Sequence, residues 1–288
     1  MKKLKQIVED IKLLDNNDPE QLQQLLWKLI CYSPKMPGRM HQQELTDNAV
    51  KGQLKVYDEF FSQSELSFNT FRWGKGPVKV LLTHGWGSKA IDFSELIHTL
   101  LQNPDIEVWA FDAPGNGSSE GELSNLILFA DAVKEMQRTF GMPHVMIGHS
   151  LGGMANAMVI DQSTRYPEVL ISIAPLVNLT ENFRTTMTTV GITEEAQLQF
   201  FKSFEKLYGI NTDRFLLNDM YNSFAGKVKH LLVYELNDYI SPADYIHTFL
   251  QEHPEIIVSQ YADTSHAKII VDPRVIAEIG QLIKAEFN

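Results

Sequence analysis

Cysteine is almost missing from this chain: Cys31 is the only one among 288 residues. An intrachain disulfide and a cysteine-rich metal site are therefore both excluded. Cys31 follows the apolar stretch 29–30 and is interpreted as a packing residue, and a reducing compartment fits this composition. Metal-ligand spacings and phosphate-binding loops are also missing from the sequence, so neither a metal nor another cofactor is expected.

Basic residues are too few to balance the acidic ones, since 25 Lys and Arg face 36 Asp and Glu, a formal net charge of −11. Nucleic-acid partners and anionic membrane surfaces are disfavoured, because both require clustered positive charge. No apolar run approaches the ~18 residues that a membrane span requires. The N-terminus begins with two lysines, as a signal peptide does, but Glu9 and Asp10 interrupt the apolar region that secretion needs. We therefore expect a cytoplasmic protein.

Residues 1–65 are predicted to form an N-terminal helical extension followed by a first strand. The residues with helical apolar spacing are Leu4, Ile7, Val8, Ile11 and Leu14, then Leu22, Leu25, Leu26, Leu29 and Ile30. Positions 16–19 interrupt this pattern, and the segment 33–50 has no periodicity and is interpreted as a loop. We expect the extension to pack on the main domain, with a partner-binding arm as the alternative.

From residue 66 to residue 288, strand-like apolar stretches alternate with helix-favouring ones. The strands predicted with near-continuous apolar character are 78–83, 106–111, 144–147, 169–174, 229–235 and 256–261. The alternation predicts an α/β fold with a mostly parallel central sheet and helices on both faces. The segment 177–226 lacks a convincing strand and carries aromatic helical stretches, so it is predicted to be a helical cap inserted over the sheet edge.

The residues around Ser150 predict a site of chemistry. A short apolar run, 145–147, ends in the pattern G-x-S-x-G and passes into the helix-favouring stretch 154–160. This strand, turn and helix form the context of a nucleophile elbow, in which the serine hydroxyl is exposed at a sharp bend. Gly148 and Gly152 are needed there because side chains at these positions would collide with the neighbouring strand and helix.

Three motifs in this order resemble those of the α/β-hydrolase superfamily. Residues 148–152 resemble its nucleophile turn, His84–Gly85–Trp86–Gly87 its loop after the third strand, and 112–119 its D-x-P-G-x-G-x-S turn. The resemblance implies the α/β-hydrolase fold, with His84, Gly85 and Asp112 supporting the site. Backbone amides would form an oxyanion hole; Leu151 follows from elbow geometry and Trp86 from the resemblance.

The same resemblance implies a nucleophile, an acid and a base in that chain order. His266 follows the last predicted strand and is assigned as the base, and Asp238 follows the preceding strand and is assigned as the acid. A neighbouring imidazole must take the serine proton, and a carboxylate must orient that imidazole. Glu235 and Asp263 are the alternative acids, should Asp238 not serve.

These residues together predict a serine hydrolase that cleaves carboxylic esters of small, apolar acyl substrates through an acyl-enzyme. Thioesters, amides, peptides or a C–C bond are alternatives on the same residues, and a non-catalytic ligand-binding protein is the alternative of another class. The partner expected is therefore a small molecule. His149, Phe201 and Phe204 are predicted to line its pocket, because His149 flanks the serine and the cap is rich in aromatic residues.

Overall fold

The computed structural model describes residues 2–14 and 18–287, so Asn16 and Asn17 of the predicted helix break lie outside the described residues. One eight-stranded sheet forms the centre of the molecule. Its strands are β1 (Val50–Asp58), β2 (Ser64–Gly74), β3 (Val78–Thr83), β4 (Ile106–Phe111), β5 (Val145–His149), β6 (Val169–Ile173), β7 (Lys229–Glu235) and β8 (Ile257–Tyr261).

The strand order is β1-β2-β4-β3-β5-β6-β7-β8. β2 pairs antiparallel with β1 and with β4, and all other neighbours pair in parallel. Strands β4, β5 and β6 are buried along their whole length, as expected for apolar strands covered on both faces. The prediction of a mostly parallel sheet in an α/β fold is therefore confirmed.

Helices cover both faces of the sheet. They are α1 (Lys2–Leu13), α2 (Pro19–Cys31), α3 (Gln43–Asp47), α4 (Ser94–Leu100), α5 (Leu126–Phe140), α6 (Leu151–Asp161), α7 (Leu179–Thr189), α8 (Glu194–Tyr208), α9 (Leu217–Asn222), α10 (Ala243–Glu252) and α11 (Pro273–Phe287). One hydrophobic core lies between the sheet and α5, α6 and α10, and a second lies between the sheet and α4 and α11. Among the described residues, none of these helices combines the length and apolarity needed to cross a membrane.

One expectation about the first part of the chain is wrong in detail. The segment 33–50 contains a short helix, α3, and a 3₁₀ turn at Met40–Gln42, where a loop was expected. Position 65, the expected end of the extension and first strand together, lies inside β2, whose residues 64–72 pair with β1. The helical extension therefore ends before β1, because both strands belong to the central sheet.

The connection between β6 and β7 consists of α7, α8 and α9. No strand forms within residues 174–228, all of which the structure describes, although Asn178 and Leu216 make one isolated bridge. Helix α2 packs against α1, α7 and α8, and the four helices share a third hydrophobic cluster that includes Ile7, Leu26, Met187 and Phe200. The first two helices and the helices after β6 thus form one packed layer.

Candidate active site

Ser150 lies at a strained bend between β5 and α6. Its backbone has φ +52° and ψ −120°, a conformation that side-chain-bearing residues rarely adopt. Hydrogen bonds hold the bend: the Ser150 amide donates to the Ile173 carbonyl at 3.0 Å, and the Ser150 carbonyl accepts from the Leu176 amide at 3.1 Å. These hydrogen bonds fix the turn to the end of β6 and the residues that follow it.

The two glycines of the turn are required by close backbone contacts. A Cβ at Gly148 would lie 2.6 Å from the Gly152 carbonyl oxygen, and a Cβ at Gly152 would lie 2.2 Å from the Thr83 carbonyl oxygen. Real Cβ atoms do not approach backbone this closely, so a side chain at either position would force the helix or strand to shift. The steric reason given for these glycines from the sequence holds in the structure.

The structure brings Ser150, His266 and Asp238 together from three separate loops. His266 Nε2 lies 2.8 Å from Ser150 Oγ, and His266 Nδ1 lies 2.6 Å from Asp238 Oδ2. All three residues are buried. With Nδ1–H donating to the carboxylate, Nε2 is the free acceptor for the serine proton. This arrangement is one that can deprotonate a hydroxyl.

Asp238 is held as an anion by its surroundings. Burial alone would raise its pKa, but the hydrogen bond and charge of His266 and the backbone amides of Ser241 and Ile240 outweigh burial and lower it. Those amides donate to Oδ1 at 3.1 and 2.8 Å, which leaves Oδ2 for His266. The Ser241 hydroxyl also donates to the Pro175 carbonyl at 2.5 Å and ties this loop to the end of β6.

The two alternative acids are placed differently. Glu235 is buried at the end of β7, where it accepts a hydrogen bond of 2.8 Å from the Asn237 amide. Asp263 lies in the loop before His266, with a left-handed backbone (φ +64°). Neither carboxylate makes a hydrogen bond to His266 within residues 2–14 and 18–287, so the geometry favours Asp238 over both.

Trp86 and Leu151 present backbone amides beside Ser150. Neither amide donates to an acceptor in the part of the chain that the structure describes, and that of Leu151 belongs to the first turn of α6. The amide of Trp86 is oriented through His84. The His84 Nε2 accepts a hydrogen bond from the Ala113 amide at 2.9 Å, so Nδ1 carries the proton and donates to the Gly85 carbonyl at 2.7 Å.

The hydrogen bond from His84 to the Gly85 carbonyl fixes the plane of the peptide between Gly85 and Trp86. The Gly85 carbonyl and the Trp86 N–H belong to the same planar trans peptide and point in opposite directions. Holding the carbonyl therefore aims the N–H away from His84. Burial lowers the pKa of His84, which keeps the ring neutral and able to accept from Ala113. A Cβ at Gly85 would lie 3.1 Å from the Ser150 Cβ, so this peptide runs close to the serine.

Asp112 braces the turn after β4. One carboxylate oxygen accepts from the Ala90 amide at 2.8 Å, and the other accepts from the amide and the hydroxyl of Ser118, both at 2.7 Å. Asn116 lies in the same turn and was not among the site residues expected from the sequence. Its side-chain oxygen accepts from the Gly87 amide at 3.1 Å and from the Ser33 hydroxyl, linking the turn to the loop that carries Trp86. No feature of the sequence distinguishes this asparagine from an ordinary turn residue.

His149 is buried against His266. Its Nε2–H donates to the His266 carbonyl oxygen at 2.8 Å, and the two ring centres are 4.9 Å apart. Burial and the neighbouring His266 lower the pKa of His149 to about 3, so its ring is neutral at ordinary pH. Its Nδ1 has no hydrogen-bond partner among the described residues. The residue both lines the pocket and holds the backbone of the histidine beside it.

A cavity of about 1410 Å³ opens onto Ser150. Trp86, Leu151 and His266 line it near the serine, and Phe204 of α8 lines its wall. Phe201, also expected there, is not among the lining residues. It packs on Phe200 and under the Arg184 guanidinium, and residue 201 lies about 60° around the helix axis from the lining residue Phe204.

The lining also includes residues of the N-terminal helices that the sequence did not connect with a pocket. They are Leu4, Val8, Leu29, Ile30, Cys31 and Tyr32. The apolar periodicity marked Leu4, Val8, Leu29 and Ile30 as helical, but periodicity does not say which surface a helix covers. Within the described residues, no three His, Cys, Asp or Glu side chains form a group that could hold a metal ion.

Comparison with known proteins identifies the class of fold. The sequence profile of the serine aminopeptidase S33 family matches residues 77–208. An esterase from Pyrococcus furiosus has a TM-score of 0.60 at 18% identity, covering 88% of this chain and 96% of that one. A bromoperoxidase from Bacillus anthracis has a TM-score of 0.59 at 14% identity, covering 81% and 100%. These matches show that the chain has the α/β-hydrolase fold.

Two curated relatives carry more specific names. Mouse monoglyceride lipase is 31% identical over 112 residues, which are 36% of this chain and 37% of the lipase. Human monoglyceride lipase is 30% identical over 126 residues, which are 41% of each chain. The match thus spans about two fifths of the length of these relatives.

Proposed function

We propose that this protein is a serine hydrolase that cleaves carboxylic esters with an apolar acyl group. The observation that carries the proposal is the hydrogen-bonded chain from Ser150 through His266 to Asp238 at a cavity. A binding protein on the same fold needs no such chain. The matches to an esterase and to monoglyceride lipases support ester hydrolysis in particular.

The reaction follows from the geometry. His266 Nε2 takes the proton as Ser150 Oγ attacks the ester carbonyl carbon, and a tetrahedral intermediate forms. The intermediate collapses when the C–O bond to the alcohol breaks and His266 returns its proton to the leaving oxygen. Water then enters, His266 deprotonates it, and the acyl group leaves as a carboxylic acid with Ser150 restored.

The amides of Leu151 and Trp86 receive the negative charge that develops on the carbonyl oxygen. Both are held in place before the substrate arrives, one by the start of α6 and the other through the His84 hydrogen bond to Gly85. Preorganised donors of this kind stabilise the transition state, and one donor contributes about 2.7–4 kcal/mol. Asp238 stabilises the His266 imidazolium that forms at the same moment.

A fluorophosphonate probe and an ester panel test the proposal. We expect the probe to label Ser150, identified by mass spectrometry of the digested protein, and nitrophenyl esters to be hydrolysed. Both signals should vanish in Ser150→Ala. Ser163→Ala is the matched control, since Ser163 follows the other end of α6 and its hydroxyl bonds only its own loop. A folded protein that neither reacts with the probe nor cleaves esters, thioesters or aminoacyl amides would instead be a binding protein.

A further inference from the structure

Helix α1 presents two kinds of apolar residue on one face. Leu4, Ile7, Val8 and Ile11 have the spacing of a single helical stripe. Ile7 and Ile11 are buried in the cluster with α2 and therefore hold the helix in place. Leu4 and Val8 are only half-buried, and both line the cavity that contains Ser150. Two residues of this stripe therefore anchor α1 to α2, and the other two line the cavity.

The wall that α1 contributes is fixed to the rest of the molecule. Trp27 of α2 stacks on Phe204 and contacts Phe200 and Tyr208 of α8, with ring centres 4.8 to 6.0 Å apart. Lys3 of α1 pairs with Glu122 in the segment before α5. The Gln23 side chain donates to the Ala196 carbonyl at 3.2 Å. These contacts join α1 and α2 to the two sides of the cavity.

The apolar side chains of this wall favour a hydrocarbon chain over a polar group. Leu4, Val8 and the neighbouring Leu29 and Ile30 offer no side-chain donor or acceptor, so a polar group placed against them would lose its hydrogen bonds to water. A hydrocarbon chain loses nothing and gains from leaving water. The cavity volume of about 1410 Å³ also exceeds the ~300–1,000 Å³ typical of small-molecule pockets. A small acyl group leaves much of this space unfilled.

We propose that α1 is a specificity-determining element of the site: Leu4 and Val8 bound the space for a long, unbranched hydrocarbon chain of the ester and set the chain length accepted. The proposal rests on the proposed function and narrows it from apolar acyl groups in general to long ones. It assigns a role in substrate selection to helices that lie outside the part of the chain matched by the hydrolase family profile.

The test is a profile of activity against acyl chain length, measured on the 288-residue protein. Nitrophenyl acetate, butyrate, octanoate, laurate and palmitate are compared by kcat/KM in the unaltered protein, Val8→Trp and Leu13→Trp. Leu13 is the matched control because it is an apolar residue of the same helix that is 83% exposed. We expect Val8→Trp to lower the laurate-to-butyrate ratio by about tenfold or more, since single methylenes in a tight pocket are discriminated by such factors. Leu13→Trp should leave the ratio unchanged.

A second measurement separates this proposal from the proposed function. In Ser150→Ala, displacement of a fluorescent fatty acid by laurate should be weaker when Val8→Trp is added, and thermal unfolding should show that both variants are folded. Val8→Ala should move the preference towards longer chains. Equal profiles and equal displacement in all variants would overturn the role of α1 even if esters are cleaved. Laurate binding without ester cleavage would overturn the hydrolase alone.

Discussion

Two regions of the molecule meet at the cavity and are built by different physics. The strand-end rim consists of the loops after β3, β4, β5, β7 and β8 and contains Ser150, Asp238 and His266. It is held by directional hydrogen bonds of 2.6 to 3.1 Å between buried polar groups. The helical wall consists of α1, α2, α7 and α8 and is held by apolar and aromatic packing. In the rim, the exact positions of polar atoms are what the hydrogen bonds fix. In the wall, the volume filled by side chains is what the packing depends on.

This difference separates the effects that substitutions should have. Loss of one group in the rim changes where an atom lies or which proton it carries, and such changes act on the barrier of the reaction. Loss of a ring in the wall leaves a cavity and acts on the free energy of unfolding. Substitutions in the rim should therefore lower turnover, and substitutions in the wall should lower stability.

The largest expected effect is on turnover in the rim. Asp238→Asn keeps the shape of the side chain but removes the charge that orients and stabilises the His266 ring, so kcat/KM should fall by about 10³–10⁴-fold. Glu235→Gln is the control, since Glu235 is as buried but bonds only its own loop. Ester hydrolysis and thermal unfolding should be measured on both. A larger loss with Glu235→Gln would show that the acid has been misassigned.

The next effect is on stability in the wall. Trp27→Ala removes the ring that packs against Phe200, Phe204 and Tyr208, and the free energy of unfolding should fall by about 2–3 kcal/mol. Tyr57→Ala, at an exposed ring on β1, should change it by less than about 0.5 kcal/mol. Urea unfolding measures both. Loss of acetate-ester turnover in folded Trp27→Ala, with stability unchanged, would break the separation between wall and rim.

The rim was predictable from sequence because its signals are local. Gly148, Ser150 and Gly152 lie within five residues, and the strand that precedes them is apolar without interruption. Asp238 and His266 are far apart in sequence, but each follows a parallel strand. The carboxyl ends of parallel strands meet at one sheet edge, which agrees with their proximity. The resemblance to the α/β-hydrolase superfamily was still needed to choose these two residues from the other acids and histidines. Their roles in chemistry remain our proposal.

The wall was not predictable because its contacts join distant segments. Periodicity identified the apolar face of α1, but the hydrophobic cluster that this face joins also contains Met187 of α7 and Phe200 of α8, more than 150 residues further along the chain. Phe201 shows the limit at single-residue scale, since aromatic content alone does not reveal which ring of a helix faces a cavity. Helix α3 was missed for another reason: its five residues are too few to show a helical period.

A smaller effect is expected at His149, a positioning residue. In His149→Phe the ring remains but the donor to the His266 carbonyl is lost, so kcat should fall by about tenfold with KM little changed. His149→Gln retains an N–H donor and should keep more of the activity. Steady-state kinetics on a butyrate ester separates the two parameters. If His149→Phe raises KM and leaves kcat unchanged, His149 acts only as a pocket residue.

The smallest effect is expected on the pH dependence of stability, through the protonation of His230. His230 of β7 is buried with Nε2 on the Ser172 hydroxyl, and burial followed by the charge of His253 lowers its pKa to about 3. An unfolded histidine takes up a proton near pH 6.5, so between these values the unfolded chain binds more protons than the folded one. Stability that is present above about pH 6.5 is therefore lost as the pH falls towards 3.

Between pH 6.5 and 5.5 this single group should lower the free energy of unfolding by about 1 kcal/mol, and His230→Gln should remove that part of the pH dependence. His98→Gln, on the exposed surface of α4, is the control and should leave the pH dependence as it is. Urea unfolding at the two pH values gives the difference. If the free energy of unfolding of His230→Gln changes with pH as much as that of the unaltered protein, water reaches the His230 ring. Burial in the packed sheet would then not be the reason why this histidine stays neutral.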